Sequence, residues 1–387
     1  MQKINTILLC LVYSCSLLAK ELTIWTSNEG VQKAIELVGQ EFTKDFGIAV
    51  KVFVLNKDLT NQFKTAALSG KGPDIFTWAH DVVGELASSG FIAPVSFSKK
   101  RQRDFYPVAL DAFRYKGKLY GYPYDMEAIA LLYNKKLVKQ VPTTFDQLLS
   151  FAKKRQGYTF LYDLSNFFFS FPLLSANGGY VFKNRAGTLD TTDIGLDNVG
   201  AVQGAQLLRR LVTEKVIPES TDRSIAFNLF NKGELPFTID GPWAVNELKK
   251  AKIDFGVAPL PRVGTGIPKP FVGVHGFIIR RSSSNRDIAI EFIENYIMTK
   301  RGIRTLYDSD PRTPARKDVV EDLKDDKILQ GFLASAKRGV PMPNVPQMGA
   351  VWGAMGSALR SVVTSSKQCA EILEFARRQI EHSLKKK

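Results

Sequence analysis

Between residues 48 and 54 the chain sets Ile48, Val50, Val52 and Val54 on one side of an extended segment, with Ala49 and Phe53 on the other. β-Branched residues at alternate positions favour a strand. Apolar side chains on both faces call for a sheet covered from both sides. The preceding residues supply one cover: Val31, Ile35, Val38, Phe42 and Phe46 recur at steps of three and four, which is one face of a helix. Gly47 tolerates left-handed backbone angles and ends that helix. A short strand over 22–25 comes before it, and a helix over 59–68 and a strand over 74–78 come after the extended segment. Strand and helix alternate from the start, so the fold class is α/β.

The alternation continues with irregular insertions. Thr144, with Gln147 three residues on, forms a capping box for a helix over 145–154. Helices are expected over 197–212, 223–231 and 287–298, and strands over 237–239, 254–258 and 271–279. Beyond Val319 every clear segment is helical, including 346–363 and 368–384. With 387 residues and no internal repeat or low-complexity linker, two α/β lobes with a helical tail fit best.

Residues 1–19 have the outline of a secretory signal: Lys3, an apolar stretch from Ile7 to Tyr13, and small residues before Ala19. The stretch is too short to span a bilayer. Cleavage after Ala19 removes Cys10 and Cys15 and leaves Cys369, a lone cysteine that reads as a small hydrophobe on a helix. Cys15 also resembles an imperfect lipoprotein signal, a second route that anchors the chain. The expected compartment is the periplasm. The formal charge of +15 is spread over separate clusters, such as Lys99-Lys100-Arg101 and Arg280-Arg281. No recognised motif gathers it on one face, so a solvated surface is expected and a nucleic-acid partner is not.

Several segments are too particular to be composition: LTIW at 22–25, GPDIFTWAHD at 72–81, YNK at 133–135, NGGYVFK at 177–183, DGPWA at 240–244, KPFVGV at 269–274, EFIENY at 291–296 and MPNVPQM at 342–348. In order and spacing they resemble the maltose/maltodextrin-binding proteins of bacterial ABC importers, from about residue 21 to about 380. The resemblance implies a type II periplasmic binding fold, two lobes closing on a sugar. The N-terminal lobe would take 21–124 and 275–320, the C-terminal lobe 125–274 and 321–387. It also implies a monomer without a cofactor, whose partners are an oligosaccharide, an α-glucan first, and the membrane permease subunits of an importer. Its output would be import, or signalling through a membrane receptor.

Pyranose rings have apolar faces and hydroxyl edges, so a sugar site needs aromatic planes and polar groups around them. By the same resemblance Trp78, Trp243 and Trp352 stand where rings stack, and Asp81, Glu127 and Met342 line the pocket. Trp25 lies in a strand and is structural. The polar edge departs from the family. Ser27, Glu29 and Gly30 replace an asparagine, an aspartate and a lysine; Val82 replaces an arginine; Asn166 and Phe168 replace a glutamate and a tyrosine; Gly353 and Gly356 replace a cleft tyrosine and arginine. A buried sugar hydroxyl left without a partner costs about 1–3 kcal/mol. The rewritten edge therefore leaves open a different glycan, larger or branched.

Hydrolysis is not expected: Glu127 and Asp81 could be an acid–base pair on chemistry alone, but nothing in the sequence orients them. Metal chemistry is not expected either, since His80, His275 and His382 are far apart and no HExxH or Cys/His cluster exists. His275 reads as a packing residue, and His80 as an orienter of its loop.

Overall fold

The computed structural model describes residues 20–385 apart from 56 and 186–187. The signal segment 1–19, with Cys10 and Cys15, lies outside the described residues. Strand β1 (Glu21–Thr26) is followed by helix α1 (Glu29–Phe46), strand β2 (Ala49–Val54) and strand β3 (Ile75–Ala79). Gly47 closes α1 at φ 67° and donates its N–H to Thr43. Strands β4 (Tyr122–Glu127) and β5 (Ala130–Asn134) then run almost end to end. They are followed by the short β6 (Phe160–Leu161), helix α2 (Phe167–Ser175), β7 (Phe237–Asp240), β8 (Phe255–Ala258) and the long β9 (Phe271–Ile279). Short strands β10 (Thr313–Pro314) and β11 (Val340–Pro341) precede helices α3 (Met348–Thr364) and α4 (Cys369–Lys385).

Two larger sheets result. The first has the order β10-β4-β9-β3-β1-β2, with β11 pairing on β9; the second has the order β8-β5-β7-β6. β1 pairs in parallel with β2 and β3, whereas β9 lies antiparallel between β3 and β4. The two-sided apolar strand is thus an edge: β2 pairs only with β1, and Phe53 is 48% exposed. The expected double cover is not there, because α1 shields one face and the other is left half open. The strand β11 also corrects the all-helical reading of the chain beyond Val319. The capping box at 144–147 forms by halves. Thr144 accepts from the Gln147 N–H, but Gln147 accepts from Thr143 instead of the capping residue.

The buried hydrophobes form two separate cores. One gathers Leu22, Phe42, Phe76, Phe113 and Phe277; the other gathers Leu131, Phe160, Phe171, Phe237 and Leu359. The chain passes between them three times: between Met126 and Ile129, between Phe271 and Val274 within β9, and between Leu329 and Phe332. At the first of these passages the end of β4 in the first sheet leads directly to the start of β5 in the second.

Candidate functional site

β1, β3 and β4 run the same way across the first sheet, so Ser27, His80-Asp81 and Glu127 emerge at the same edge. Carboxyl edges of this kind are where open α/β sheets hold ligands. Trp78, half-buried, lies near the end of β3 opposite Gly276. The next turn is pinned by His80, which is fully buried. Its Nε2–H donates to the Met342 carbonyl at 2.9 Å and its Nδ1 accepts from the Val274 N–H at 3.1 Å. That pair of bonds requires the neutral ring, and burial brings its pKa down to about 4. His80 therefore ties β3 to β9 and to the Met342 loop, the orienting role read from its motif.

Asp81 follows. Its Oδ1 is buried without a hydrogen-bond partner among the described residues. Burial is the main cause that pushes its pKa up to about 6, and Glu127 adds to the rise, while the Trp352 side chain and His275 work against it. A carboxylate oxygen shielded from water and left unpaired is costly unless something donates to it.

Beside Asp81 lies a buried ion cluster. Arg312, 12% exposed at its side chain, donates to Asp310 at 2.7 Å and to Glu127, and lies 3.9 Å from Asp125. His275 Nδ1 is 2.7 Å from Asp125 Oδ1, and its Nε2 is 3.8 Å from Glu127. A bulge in the β9–β4 register at His275/Gly276 aims these side chains at one another. Burial works to lower the His275 pKa, but the charges on Asp125 and Glu127 more than offset it, and the net direction is up. The guanidinium also lies 5.7 Å from the Trp243 ring centre. It thus joins a segment of the first core to an aromatic of the second.

The second core contributes an aromatic wall. Phe168 stacks on Phe271 at 6.1 Å and 29°, and meets Trp243 at 6.1 Å; Trp352 meets Phe271 edge-on at 5.9 Å. Phe271 lies flat on Phe171 behind them, at 3.9 Å and 3°. Asn166 caps α2, accepting from the Phe168 N–H at 3.0 Å, and so sets the wall's near edge.

The structure thus brings Asp81, Glu127, Phe168, Trp243 and Trp352 into one neighbourhood, with Asn166 at its rim. Met342 is 5% exposed, packs in the second core, and spends its carbonyl on His80. Ser27 and Glu29 are exposed, and their side chains make no hydrogen bond or ion pair among the described residues. Between them Asn28 caps α1, accepting from Val31, and donates to Asp310 at 2.9 Å. Gly30 is small for a steric reason: a Cβ there would lie 2.7 Å from the Ser309 carbonyl oxygen. Gly30→Lys is therefore expected to destabilise the protein by about 1–3 kcal/mol without improving ligand affinity, as urea unfolding and calorimetric titration would show. Arg312, Asp125, Asp310 and Phe271 were missed by sequence reasoning, and His275 belongs to a polar network where apolar packing was expected. The one signal was Asp310-Pro311-Arg312, opposite charges held two residues apart by a rigid residue. No group of three or more His, Cys, Asp or Glu among the described residues could hold a metal ion.

The family model of bacterial extracellular solute-binding proteins matches residues 38–331. A maltotriose-binding protein of Pyrococcus abyssi (strain GE5 / Orsay) is 31% identical over 347 residues, covering 86% of this chain and 75% of that protein. A maltooligosaccharide ABC transporter solute-binding lipoprotein of Streptococcus pneumoniae (strain ATCC BAA-255 / R6) is 31% identical, with 95% and 90% covered. A galactooligosaccharide-binding protein of Bacillus subtilis (strain 168) is 26% identical, with 100% and 98% covered.

Proposed function

This chain belongs to the bacterial extracellular solute-binding proteins, and we propose that within that family it captures an oligosaccharide of α-linked glucose and delivers it to the permease subunits of an ABC importer. As a solute-binding protein it is a binding protein and not an enzyme. The observation that carries the choice of a sugar is the unpaired Asp81 carboxylate oxygen beside Trp352 and the aromatic wall. A hydroxyl that donates to Asp81 while its ring rests on an aromatic plane answers both features at once.

In this reading Trp78, Trp243 and Trp352 stack on sugar rings, and Phe168 and Met342 complete the apolar lining. Asp81, Glu127, Ser27, Glu29 and Asn166 address the hydroxyls. Glu127 is already committed to Arg312, so it presents a fixed, charge-balanced oxygen. The N-terminal lobe comprises 21–124 and 275–320, and the C-terminal lobe 125–274 and 321–387; the two separate cores support a division into two lobes, with Met126, Leu323 and Leu329 packed in the first core. Closure is a population shift driven by the ligand's preference for the closed form. The exported monomer works in the periplasm after cleavage following Ala19. No described helix is long and apolar enough to cross a membrane; a lipid on Cys15 is the alternative anchor. The relative named for galactooligosaccharide binding supports the second reading, a different glycan such as a galactooligosaccharide in the same cleft.

Titrating the chain from Lys20 onward with maltotriose, while following tryptophan emission, tests the proposal. A saturable change at micromolar sugar is expected, because three of the four tryptophans are assigned to stacking. No change up to millimolar maltotriose, with the protein folded, overturns the α-glucan reading. A response to a galactooligosaccharide alone replaces it with the second.

A further inference from the structure

Between α3 and α4 lies an open groove of about 840 Å3, within the range of about 300–1,000 Å3 typical of ligand pockets. One side is formed by Ala350, Gly353 and Ser357 of α3, the other by Phe375, Gln379 and His382 of α4. Phe375 is 63% exposed, a bare aromatic plane. The side chains of Lys367, Glu371, Gln379 and His382, which also border the groove, make no hydrogen bond or ion pair among the described residues. An aromatic plane ringed by uncommitted donors and acceptors is the lining that a sugar unit requires.

The groove begins where the proposed cleft ends. At 3.6 residues per turn, positions 349, 353 and 356 cover the helix surface between the side that bears Trp352 and the side that faces the groove. All three are glycines. A Cβ on Gly349 or Gly353 would have no heavy atom within 4 Å, and one on Gly356 would meet only Arg360 Nη1 at 3.9 Å. Helical glycines elsewhere in the chain are explained by packing: a Cβ on Gly204 would lie 2.4 Å from the Leu173 carbonyl oxygen, and one on Gly331 2.5 Å from that of Val257. Each glycine costs a helix roughly 1 kcal/mol relative to alanine. On α3 that cost brings no packing; it leaves a clear path over bare backbone from Trp352 to Phe375. At the path's near end stands the unpaired oxygen of Asp81.

We propose that this groove is an extension subsite, which holds the outer sugar units of an oligosaccharide whose inner unit lies against Trp352. The inference rests on the sugar reading above and deepens it: the preferred ligand is a long or branched glycan. Phe375 offers the stacking plane, and Glu371, Gln379 and His382 address hydroxyls.

The test is calorimetric titration of maltotriose and maltoheptaose into the natural chain, Phe375→Ala and Gly353→Gln. Phe375 is exposed, and glutamine is a better helix former than glycine at an open position, so both variants should fold. A long chain offers several overlapping frames to any short site, so the variants supply the comparison. Maltoheptaose affinity is expected to fall about tenfold in each variant, with the heptaose-to-triose ratio shrinking accordingly. An unchanged ratio in both variants, with maltotriose still bound, overturns the subsite and leaves the sugar reading standing. Failure of the natural chain to bind either sugar overturns both.

Discussion

Replacing Arg312 by methionine is expected to lower the free energy of unfolding at neutral pH by about 3–5 kcal/mol, a large share of the roughly 5–15 kcal/mol typical of a folded domain. Methionine retains an unbranched apolar stem, so little packing is lost. What disappears is the cation facing Asp310, Glu127 and Asp125, each of which is 9% exposed or less at its side chain. Three carboxylates then share a buried space with no guanidinium to balance them. Surface pairs give the contrast. Arg304 and Asp308 are about half exposed, and Arg304→Met should change stability by less than about 1 kcal/mol. Burial already raises the Asp310 pKa, and Arg312 is the largest influence holding it down. Without Arg312 it must rise further. A carboxyl with a raised folded-state pKa costs stability as pH increases through that value, so the Arg312→Met deficit should shrink from pH 7 to pH 5. Urea unfolding at both pH values decides the matter. A loss below 1 kcal/mol at pH 7, or one that grows on acidification, would show that the cluster is not held by charge balance.

The same residues show what the sequence made legible. Helix α1 could be read to its closing glycine, because a 3.6-residue apolar period and Gly47 lie within one stretch of chain. β9 is long and apolar enough to declare itself over 271–279. Helix α2 could not be read. Eight of its nine residues are buried, so it has no polar face to create a period, and Pro172 sits inside it. Its burial comes from the second core and not from local pattern. The edge position of β2 was hidden for a related reason. Alternating apolar residues report which side chains avoid water, but which strand is outermost depends on pairings made across the whole sheet.

Site residues divide along a similar line. Trp78, Trp243 and Trp352 stand out because tryptophan is rare and each lies in or just after a distinctive motif. The ion cluster does not stand out, since its members come from Asp125, Glu127, His275, Asp310 and Arg312, up to 187 positions apart, and only the β9–β4 bulge and the adjacent β10 bring them together. The loss of the family lysine at Gly30 was visible as a chemical deficit. Its physical reason, a backbone carbonyl 2.7 Å from any Cβ, was visible only in the folded chain.

Sugar affinity is expected to rise about tenfold between pH 5 and pH 7, and Asp81→Asn should remove most of that slope. The Asp81 carboxyl has its pKa pushed up from 3.8 to about 6, chiefly by burial, so at pH 5 only roughly a tenth of the ligand-free protein carries the charge. A hydroxyl donating to Oδ1 favours the ionised form. Apparent affinity therefore follows the ionised fraction until it saturates near pH 7. The stability consequence has the opposite sign. Because the folded-state pKa lies above the unfolded value, ionisation costs the native state progressively as pH rises from about 4 to 6, reaching about 3 kcal/mol. Asp81→Asn removes the buried charge and keeps the shape, so at pH 7 the ligand-free variant should be more stable by about 1–3 kcal/mol while binding sugar less tightly. Glu127 and His275 also act on Asp81, and the variant isolates the contribution of the Asp81 carboxyl itself. If the pH slope persists undiminished in Asp81→Asn, the acceptor lies elsewhere in the cluster. If the variant is less stable at pH 7 than the natural chain, the unpaired oxygen is not the strain that ligand binding relieves.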